Sequence, residues 1–223
     1  MKSKRYFLIA ACFLAAFAVW TAAICFVDIQ PIGPKGSCVG FAALNGRIHT
    51  LVGVHMTLYY LTDWLGLVPL GFAFGFSVLG LAQWISRKHI GKVDRSILVL
   101  GSTYIVVLGI YLLFETVHIN FRPVLIDGCL EGSYPSSTTL LVLCIMPTAF
   151  LQLKDRIRIH AVRRCILPGI GFFTAFMVIG RFISGVHWFS DIIGSLLFSA
   201  GLVTMYYAVA AVETHKYKNG RYH

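Results

Sequence analysis

The chain reads Gly180-Arg181-Phe182-Ile183-Ser184-Gly185-Val186-His187-Trp188-Phe189-Ser190-Asp191 between two long apolar runs, Cys165–Ile179 and Ile192–Val212. Charged groups at the edge of a bilayer are costly unless they pair or function. Asp191 follows His187 by four residues, so one helical turn would place the carboxylate beside the imidazole and leave the other ring nitrogen to attack or to accept a proton. Arg181 adds a cationic fork suited to phosphate. The stretch alone also fits a membrane-edge salt bridge with a capping Asp, so both interpretations stay open.

The composition indicates an all-α, polytopic membrane protein. Of the 223 residues, 57% are hydrophobic and 13% are charged, which excludes an ordinary soluble domain. The formal net charge is +10, but the basic residues fall in short clusters between apolar runs. That arrangement is typical of membrane proteins, so we expect no nucleic-acid partner. We interpret residues 1–223 as a single integral membrane domain.

Six apolar segments have about the 20 residues that cross a bilayer. The first resembles a signal peptide, but it is long for one and no small-residue cleavage site stands out before Asp28, so we expect a retained helix. The six predicted spans are Tyr6–Val27, Leu67–Ile85, Ile97–Val117, Thr138–Leu153, Ile166–Ile183 and Asp191–Val212.

The basic residues predict the orientation of these spans. All but four of the 19 Lys and Arg residues lie in clusters within 2–5, 87–95, 154–164 and 216–221. Because such clusters stay in the cytoplasm, both termini should be cytoplasmic. We expect the plasma (cytoplasmic) membrane, with the Arg181–Asp191 stretch on the outer side. The four remaining basic residues, all on that outer side, are Lys35, Arg47, Arg122 and Arg181.

The segment Asn45–Gly66 lies before the second span and is too polar to cross the membrane. Its apolar residues recur near helical spacing. The pattern predicts a short amphipathic helix on the outer face that leads into the second span.

The cysteines and histidines indicate no metal site and no cofactor, because no Cys or His spacing matches a zinc site. Cys38 and Cys129 both fall in outward loops, where an oxidising exterior would permit a disulfide. The sequence does not give the distance between them, so their pairing stays open.

Two further outward patches carry polar groups. The first leaves the third span as Glu115-Thr116-Val117-His118-Ile119-Asn120-Phe121-Arg122-Pro123, and the second enters the fourth as Gly132-Ser133-Tyr134-Pro135-Ser136-Ser137-Thr138-Thr139. Pro135 followed by small hydroxyl residues can start a helix whose free N–H groups hold an anion. An ordinary Ser/Thr cap is the simpler interpretation of the second patch taken alone.

Together and in this order, the three patches resemble the type 2 phosphatidic acid phosphatase family, which is related to the vanadium haloperoxidases. That family carries K-x6-R-P, P-S-G-H and S-R-x5-H-x3-D at the outward ends of six spans. Here Arg122-Pro123 matches the end of the first motif, and Pro135-Ser136 matches the start of the second. The third motif is matched, at the right spacing, by Arg181, His187 and Asp191. The resemblance covers about residues 67–212.

The resemblance implies a role for each matching residue. His187 would be the nucleophile that forms a phospho-histidine, and Asp191 would be its orienting partner. The residues that would bind phosphate are Arg122, Arg181, Ser136, Ser137 and Thr138.

The departures from the family pattern concern the remaining motif positions. Glu115 stands in place of the phosphate-binding Lys, and Ser137-Thr138 stands in place of Gly-His. The missing His is the family's general acid, a role typically worth about 10² to 10⁴ in rate. Glu115 with a raised pKa, or His118, could supply that proton, whereas an ionised Glu115 would repel phosphate. A phosphate leaving group, released from a diphosphate, needs the proton much less than an alkoxide does.

Two functions follow as expectations. The first is a membrane phosphatase or phosphotransferase that acts at the outer leaflet on a lipid phosphate or a polyprenyl (di)phosphate, through a phospho-histidine. The second is a catalytically lapsed member that binds lipid phosphate or serves as a membrane partner protein. The matching Arg122, Arg181, His187 and Asp191 favour the enzyme, since a binder needs the arginines but not a carboxylate-oriented histidine.

Overall fold

The computed structural model describes residues 2–219, with side chains for residues 4–210, and its described residues form eight α-helices and no sheet. Lys216, Lys218 and Arg221, which belong to the last predicted cytoplasmic cluster, lie outside the described side chains. The helices are α1 (Lys2–Phe26), α2 (Ala42–Val52), α3 (Met56–Leu65), α4 (Leu67–Arg87), α5 (Arg95–Thr116), α6 (Ser137–Arg156), α7 (His160–Ile183) and α8 (Phe189–Asn219).

Six helical segments are long and apolar enough to cross a membrane, which confirms the predicted all-α, six-span architecture. The predicted spans fall on α1, α4, α5, α6, α7 and α8. Two helices extend well beyond their predicted spans: α7 begins at His160 rather than Ile166, and α8 ends at Asn219 rather than Val212. The second candidate span includes α3 as well as α4, since Gly66 alone separates the two helices.

The segment predicted as one amphipathic helix on the outer face contains two helices, α2 and α3. They are separated at Gly53, whose φ of 73° lies in the left-handed region. Gly185, with a φ of 68°, packs directly on the Gly53 carbonyl, and a Cβ at this position would collide with that carbonyl. The break therefore follows from a close approach of two backbone segments, each of which has a glycine at the contact.

Helices α6 and α8 form the centre of the bundle, since half of each span is buried, a larger share than in the other four spans. Gly201 of α8 lies against Leu14 of α1, so closely that a Cβ at Gly201 would collide with the Leu14 side chain. Val107, Leu140 and Phe198 join α5, α6 and α8 in one apolar cluster. This packing holds fixed the ends of α6 and α8, which carry the candidate site.

A polar network joins three helices at the predicted cytoplasmic end. Asp94, just before α5, accepts hydrogen bonds from Arg87 at 2.9 Å and Gln83 at 2.9 Å, and it pairs with Arg156 of α6 at 3.3 Å. Burial raises the pKa of Asp94, but the hydrogen bonds from Arg87 and Gln83 and the nearby charges of Arg87 and Arg156 outweigh it and lower that pKa overall. The ionised Asp94 therefore joins α4, α5 and α6.

Cys38 and Cys129 are both exposed free thiols. The disulfide that the sequence left open is therefore not present in the structure. Their two loops are nevertheless neighbours, because the Lys35 ammonium lies 3.4 Å from the Gly128 carbonyl oxygen.

Candidate active site

The turn between α7 and α8 places His187 at the end of the bundle that is predicted to face outward. The Ser184 carbonyl accepts a hydrogen bond from the His55 backbone N–H at 2.9 Å, which ties the turn to the start of α3. Val186 is buried against Tyr59 and Ile126. Tertiary packing thus fixes the backbone on the N-terminal side of His187.

The contacts of His187 determine which ring nitrogen carries the proton. Nδ1 lies 3.1 Å from the Ser133 carbonyl oxygen, and Nε2 lies 3.4 Å from NH1 of Arg122. Since a carbonyl only accepts and a guanidinium only donates, the neutral ring has its proton on Nδ1 and a lone pair on Nε2. Burial, together with the positive charges of Arg122 and Arg181, lowers the pKa of His187 well below its ordinary value. Nε2 is therefore an unprotonated nitrogen at neutral pH.

Asp191 lies behind the imidazole in the first turn of α8. Its Oδ2 accepts a hydrogen bond from the Trp188 backbone N–H at 2.9 Å and lies 3.7 Å from Nδ1 of His187. The carboxylate is fully buried. Asp191 is thus at ion-pair distance from the ring, whereas the closer acceptor for Nδ1 is the Ser133 carbonyl.

Arg122 contacts His187 and also forms an ion pair with a carboxylate. Its Nε lies 3.1 Å from Oε2 of Glu131, and its backbone N–H donates to the Glu131 carbonyl at 3.0 Å. The Arg122 side chain is 10% exposed, whereas that of Glu131 is 43% exposed. Arg122 therefore presents NH1 to the histidine while Glu131 compensates part of its charge.

Arg181 is engaged elsewhere. Its NH1 donates to the Tyr59 carbonyl and the Thr62 hydroxyl, both at 3.3 Å, and its NH2 pairs with Asp63 at 3.3 Å. The Tyr59 ring lies beside both guanidinium groups, 4.7 Å from Arg181 and 5.8 Å from Arg122. Arg181 thus lies close enough to affect His187 electrostatically, but its NH1 and NH2 groups bind α3.

His187 lines a cavity of about 350 Å³. It brings together five of the residues singled out from the sequence, namely Glu115, His118, Arg122, Ser137 and His187. Its wall also includes Tyr111, Phe114, Glu131, Ser133 and Tyr134. The volume is that of a small-ligand site and suits a headgroup rather than whole acyl chains.

Three residues of the expected phosphate-binding set do not line this cavity: Arg181, Ser136 and Thr138. The Ser136 hydroxyl is buried and hydrogen bonds to Thr139 Oγ1 at 2.9 Å. Cγ2 of Thr138 lies beside Gly66, at the junction of α3 and α4. The start of α6 therefore presents Ser137 to the cavity, because a helix directs consecutive side chains to different sides.

Four participants were not foreseen from the sequence: Glu131, Ser133, Tyr59 and Asp63. Ser133 contributes a backbone carbonyl, which leaves no signal in a side-chain pattern. Asp63 lies far along the chain from its partner Arg181. Among the described residues, no group of three or more His, Cys, Asp or Glu side chains is arranged to hold a metal ion.

The fold is similar to that of a solved membrane protein, described as the first transmembrane PAP2 type phosphatidylglycerolphosphate phosphatase from Bacillus subtilis. The two chains are 16% identical, the match covers 92% of this chain and 96% of that chain, and the TM-score is 0.57. No model of a protein family and no curated protein matches the sequence. At this identity the similarity establishes the common helical fold.

Proposed function

We propose that the protein is a membrane phosphatase or phosphotransferase that acts on lipid phosphates or diphosphates through a phospho-histidine. The observation that carries this proposal is the state of His187: its Nδ1 proton is held by the Ser133 carbonyl, and its Nε2 lone pair faces Arg122 at the cavity. A neutral, buried and oriented imidazole beside a guanidinium is the arrangement that nucleophilic attack on phosphorus requires. The fold shared with a membrane lipid phosphatase and the matching third motif support the same reaction class.

In the first step, Nε2 of His187 forms a bond to phosphorus and the bond from phosphorus to the leaving oxygen breaks. Arg122 stabilises the negative charge that develops on the phosphoryl oxygens. The imidazolium keeps its Nδ1 proton, which remains hydrogen bonded to the Ser133 carbonyl, while Asp191 at 3.7 Å compensates the new positive charge. In the second step, water or another hydroxyl attacks phosphorus as the bond from phosphorus to Nε2 breaks and releases His187. The proton of the attacking oxygen passes to the residue that protonated the leaving oxygen in the first step or, where none was needed, to bulk water.

The leaving oxygen determines whether an acid is needed. An alkoxide must be protonated as it departs, and the cavity offers Glu115 or His118 for this purpose. A phosphate released from a polyprenyl diphosphate departs without that proton. Both substrate classes are therefore compatible with a site in which the family's second-motif His is absent.

The membrane setting of this activity follows from charge distribution. The basic clusters of residues 2–5, 87–95 and 154–164 lie at the opposite end of the bundle from His187, which supports an outward-facing cavity and cytoplasmic termini by the positive-inside rule. Ile110 and Leu140 line the cavity from α5 and α6. A membrane lipid could therefore present its phosphate to His187 while its chains stay in the bilayer.

A second function is favoured by a specific observation. Both arginines expected to hold phosphate carry a carboxylate partner: Glu131 on Arg122, and Asp63 on Arg181. This compensation weakens attraction for a dianion. The same pairing of both arginines is expected in a catalytically lapsed protein that binds a lipid phosphate or acts as a membrane partner protein.

The experiment that tests the proposal is phosphate release from a panel of lipid monophosphates and diphosphates by the purified protein in mixed micelles. His187→Ala should abolish turnover and the acid-labile phosphoenzyme, and Asp191→Asn should lower kcat strongly with a smaller effect on KM. His55→Ala is the matched control, because His55 is exposed on the same side and does not line the cavity. Equal activity in wild type and His187→Ala would refute the proposal, and lipid binding without turnover by the wild type would favour the second function.

A further inference from the structure

A groove of about 320 Å³ lies between α4 and α5, in the half of the bundle away from His187. Its wall includes Ser77, Gly80 and Trp84 of α4 and Leu98, Gly101 and Ile105 of α5. Trp84 is 49% exposed and Ile105 is 72% exposed, so the groove is open toward the outside of the bundle. In a bundle that crosses a membrane, this side faces lipid.

Two glycines shape the groove. A Cβ at Gly80 would lie 3.0 Å from Cγ2 of Ile97, so α4 and α5 approach each other closely at that level. A Cβ at Gly101 would meet no heavy atom within 4 Å, which leaves space beside this residue. The wall from Leu98 to Ile105 extends over about 10 Å, at a rise of about 1.5 Å per helical residue. The groove therefore has the length and the apolar character of a seat for part of one acyl chain.

The loop between α4 and α5 closes one end of the groove, since Ile90 and Val93 belong to its wall. The loop is held by its own hydrogen bonds. The Gly91 backbone N–H donates to Nδ1 of His89 at 3.0 Å, and the Val93 backbone N–H donates to the Ile90 carbonyl at 3.0 Å. The closed end is thus a fixed part of the fold.

Two lysines of this loop bring positive charge to the closed end. Lys88 and Lys92 are exposed, and each lies two residues from Ile90 of the groove wall. Within the described part of the chain, neither lysine forms an ion pair, because the Asp94 carboxylate is engaged by Arg87 at 2.9 Å and by Arg156 at 3.3 Å. The charges of Lys88 and Lys92 are therefore available to an anion.

Trp84 lies in the groove wall, one helical turn before Lys88. Trp20 and Trp188 each donate their indole N–H to a backbone carbonyl, at 3.1 and 2.7 Å. The Trp84 indole N–H has no such acceptor among the described residues. Tryptophan side chains of this kind are typical of the membrane interface, where the ring lies in an apolar region and the N–H can donate to a lipid oxygen.

We propose that the groove between α4 and α5 binds one acyl chain of an anionic phospholipid whose phosphate lies at Lys88 and Lys92. An apolar groove that ends at unpaired lysines is complementary to a molecule with an apolar chain and a negative headgroup, and basic pockets between membrane helices bind such headgroups. No residue lines both this groove and the cavity at His187. The lipid is therefore a bound component of the bundle and not the substrate, and the inference does not depend on the proposed function.

Trp84 provides the probe for the test. The full-length protein is reconstituted in phosphatidylcholine bilayers in which either phosphatidylserine or part of the phosphatidylcholine has brominated chains, which quench indole fluorescence on contact. The signal of Trp84 is the difference between the wild type and Trp84→Phe, which keeps the other three tryptophans. We expect brominated phosphatidylserine to quench Trp84 with an apparent affinity on the order of 10-fold higher than that of brominated phosphatidylcholine.

Charge variants assign the preference to the two lysines. The double variant Lys88→Gln, Lys92→Gln should bring the ratio of the two affinities close to one, because it removes the charge that distinguishes the two lipids. Lys154→Gln is the matched control. Lys154 is an exposed lysine at the same end of the bundle and is not part of the groove wall, so the ratio should stay at its wild-type value.

A second pair of variants tests the groove itself. Gly101→Leu should fill it without displacing a neighbour and should lower quenching of Trp84 by brominated phosphatidylserine severalfold. Gly109→Leu is its control. Gly109 is also an exposed glycine of α5 with open space around it, but it lies outside the groove, so quenching should not change.

The proposal is overturned if the two brominated lipids quench Trp84 equally, or if Gly101→Leu leaves quenching by phosphatidylserine unchanged. An equal loss of preference in Lys154→Gln and in the double lysine variant would also overturn it, since anionic lipid would then gather around the whole basic end. If a second copy of the chain filled the groove, neither lipid would quench Trp84 and Gly101→Leu would change the oligomeric state, which excludes a lipid site. None of these measurements uses turnover, so failure of this proposal is distinct from failure of the proposed function.

Discussion

Arg181 and Asp63 form an ion pair of 3.3 Å that joins the end of α7 to α3. The Arg181 side chain is 1% exposed and that of Asp63 is 54% exposed, so the pair connects a buried cation to the surface. Among the described residues, Asp63 is the carboxylate that pairs with this guanidinium. A buried charge that loses its partner is strongly destabilising, so the stability of this end of the bundle should depend on Asp63.

Asp63→Asn should therefore lower the free energy of unfolding by about 1–2 kcal/mol, less than for a fully buried pair because solvent screens the exposed carboxylate. Thermal unfolding in detergent measures the change, with Asp127→Asn as an exposed control. Arg181→Lys should lower the free energy of unfolding at least as much as Asp63→Asn does. A lysine ammonium cannot reproduce the contacts of the guanidinium with Tyr59, Thr62 and Asp63 together. An unchanged melting temperature for Asp63→Asn would show that Arg181 does not need this partner.

The protonation of His187 gives a prediction about pH. Its ordinary pKa is 6.5, and burial with the charges of Arg122 and Arg181 lowers it. Because attack needs the neutral ring, the acidic limb of kcat/KM should lie well below pH 6.5. The free energy of unfolding should depend on pH in the same direction. As pH drops below 6.5, the histidine is protonated in the unfolded chain before it is protonated in the folded protein, so the free energy of unfolding should fall. Above pH 6.5 this group should have no effect on it.

Arg122→Gln tests the cause of that shift. The charge of Arg122 is, after burial, the largest cause of the lowered pKa of His187. Its removal should move the acidic limb of the kcat/KM profile upward toward pH 6.5, while burial keeps that limb below pH 6.5. Arg47→Gln is the control, because Arg47 is an exposed basic residue on the same side outside the cavity. If the acidic limb of the kcat/KM profile does not move in the less active Arg122→Gln variant, it reports the titration of a group other than His187.

The sequence predicted what depends on local spacing. Oδ2 of Asp191 does lie near the imidazole, 3.7 Å from Nδ1 of His187, although His187 lies in the turn before α8 rather than on the helix, and the apolar runs do form the six spans. The partner of Arg181 was not predictable, because Asp63 lies 118 residues away and a local pattern contains no information on which helix ends meet. Thr138 shows the same limit: its place in the motif suggested a phosphate contact, but the packing of α6 on the α3–α4 junction turns its side chain to Gly66.

Asp94 gives a stability prediction at the other end of the bundle. Asp94→Ala removes acceptors for Arg87, Gln83 and Arg156, and we expect a loss of about 1 kcal/mol, since the network is partly exposed. Asp155→Ala is the control, because Asp155 is exposed on the same side of the bundle. Thermal unfolding should show a lower melting temperature for the first variant alone, with substrate binding retained. Equal melting temperatures would mean that the Asp94 network does not stabilise this end of the bundle.

The identity of the general acid can be determined from leaving groups. Glu115 and His118 both line the cavity, and only an alkoxide requires protonation as it departs. Replacing the acid, by Glu115→Gln or His118→Ala, should therefore lower kcat for a lipid monophosphate by about 10² or more, and kcat for a matched diphosphate far less. Replacing the other residue should change the two substrates equally. The comparison uses the ratio of kcat values within each variant, so a general loss of folded protein cancels. If both variants keep the wild-type ratio, neither residue donates the proton, and the site acts on esters whose leaving group needs none.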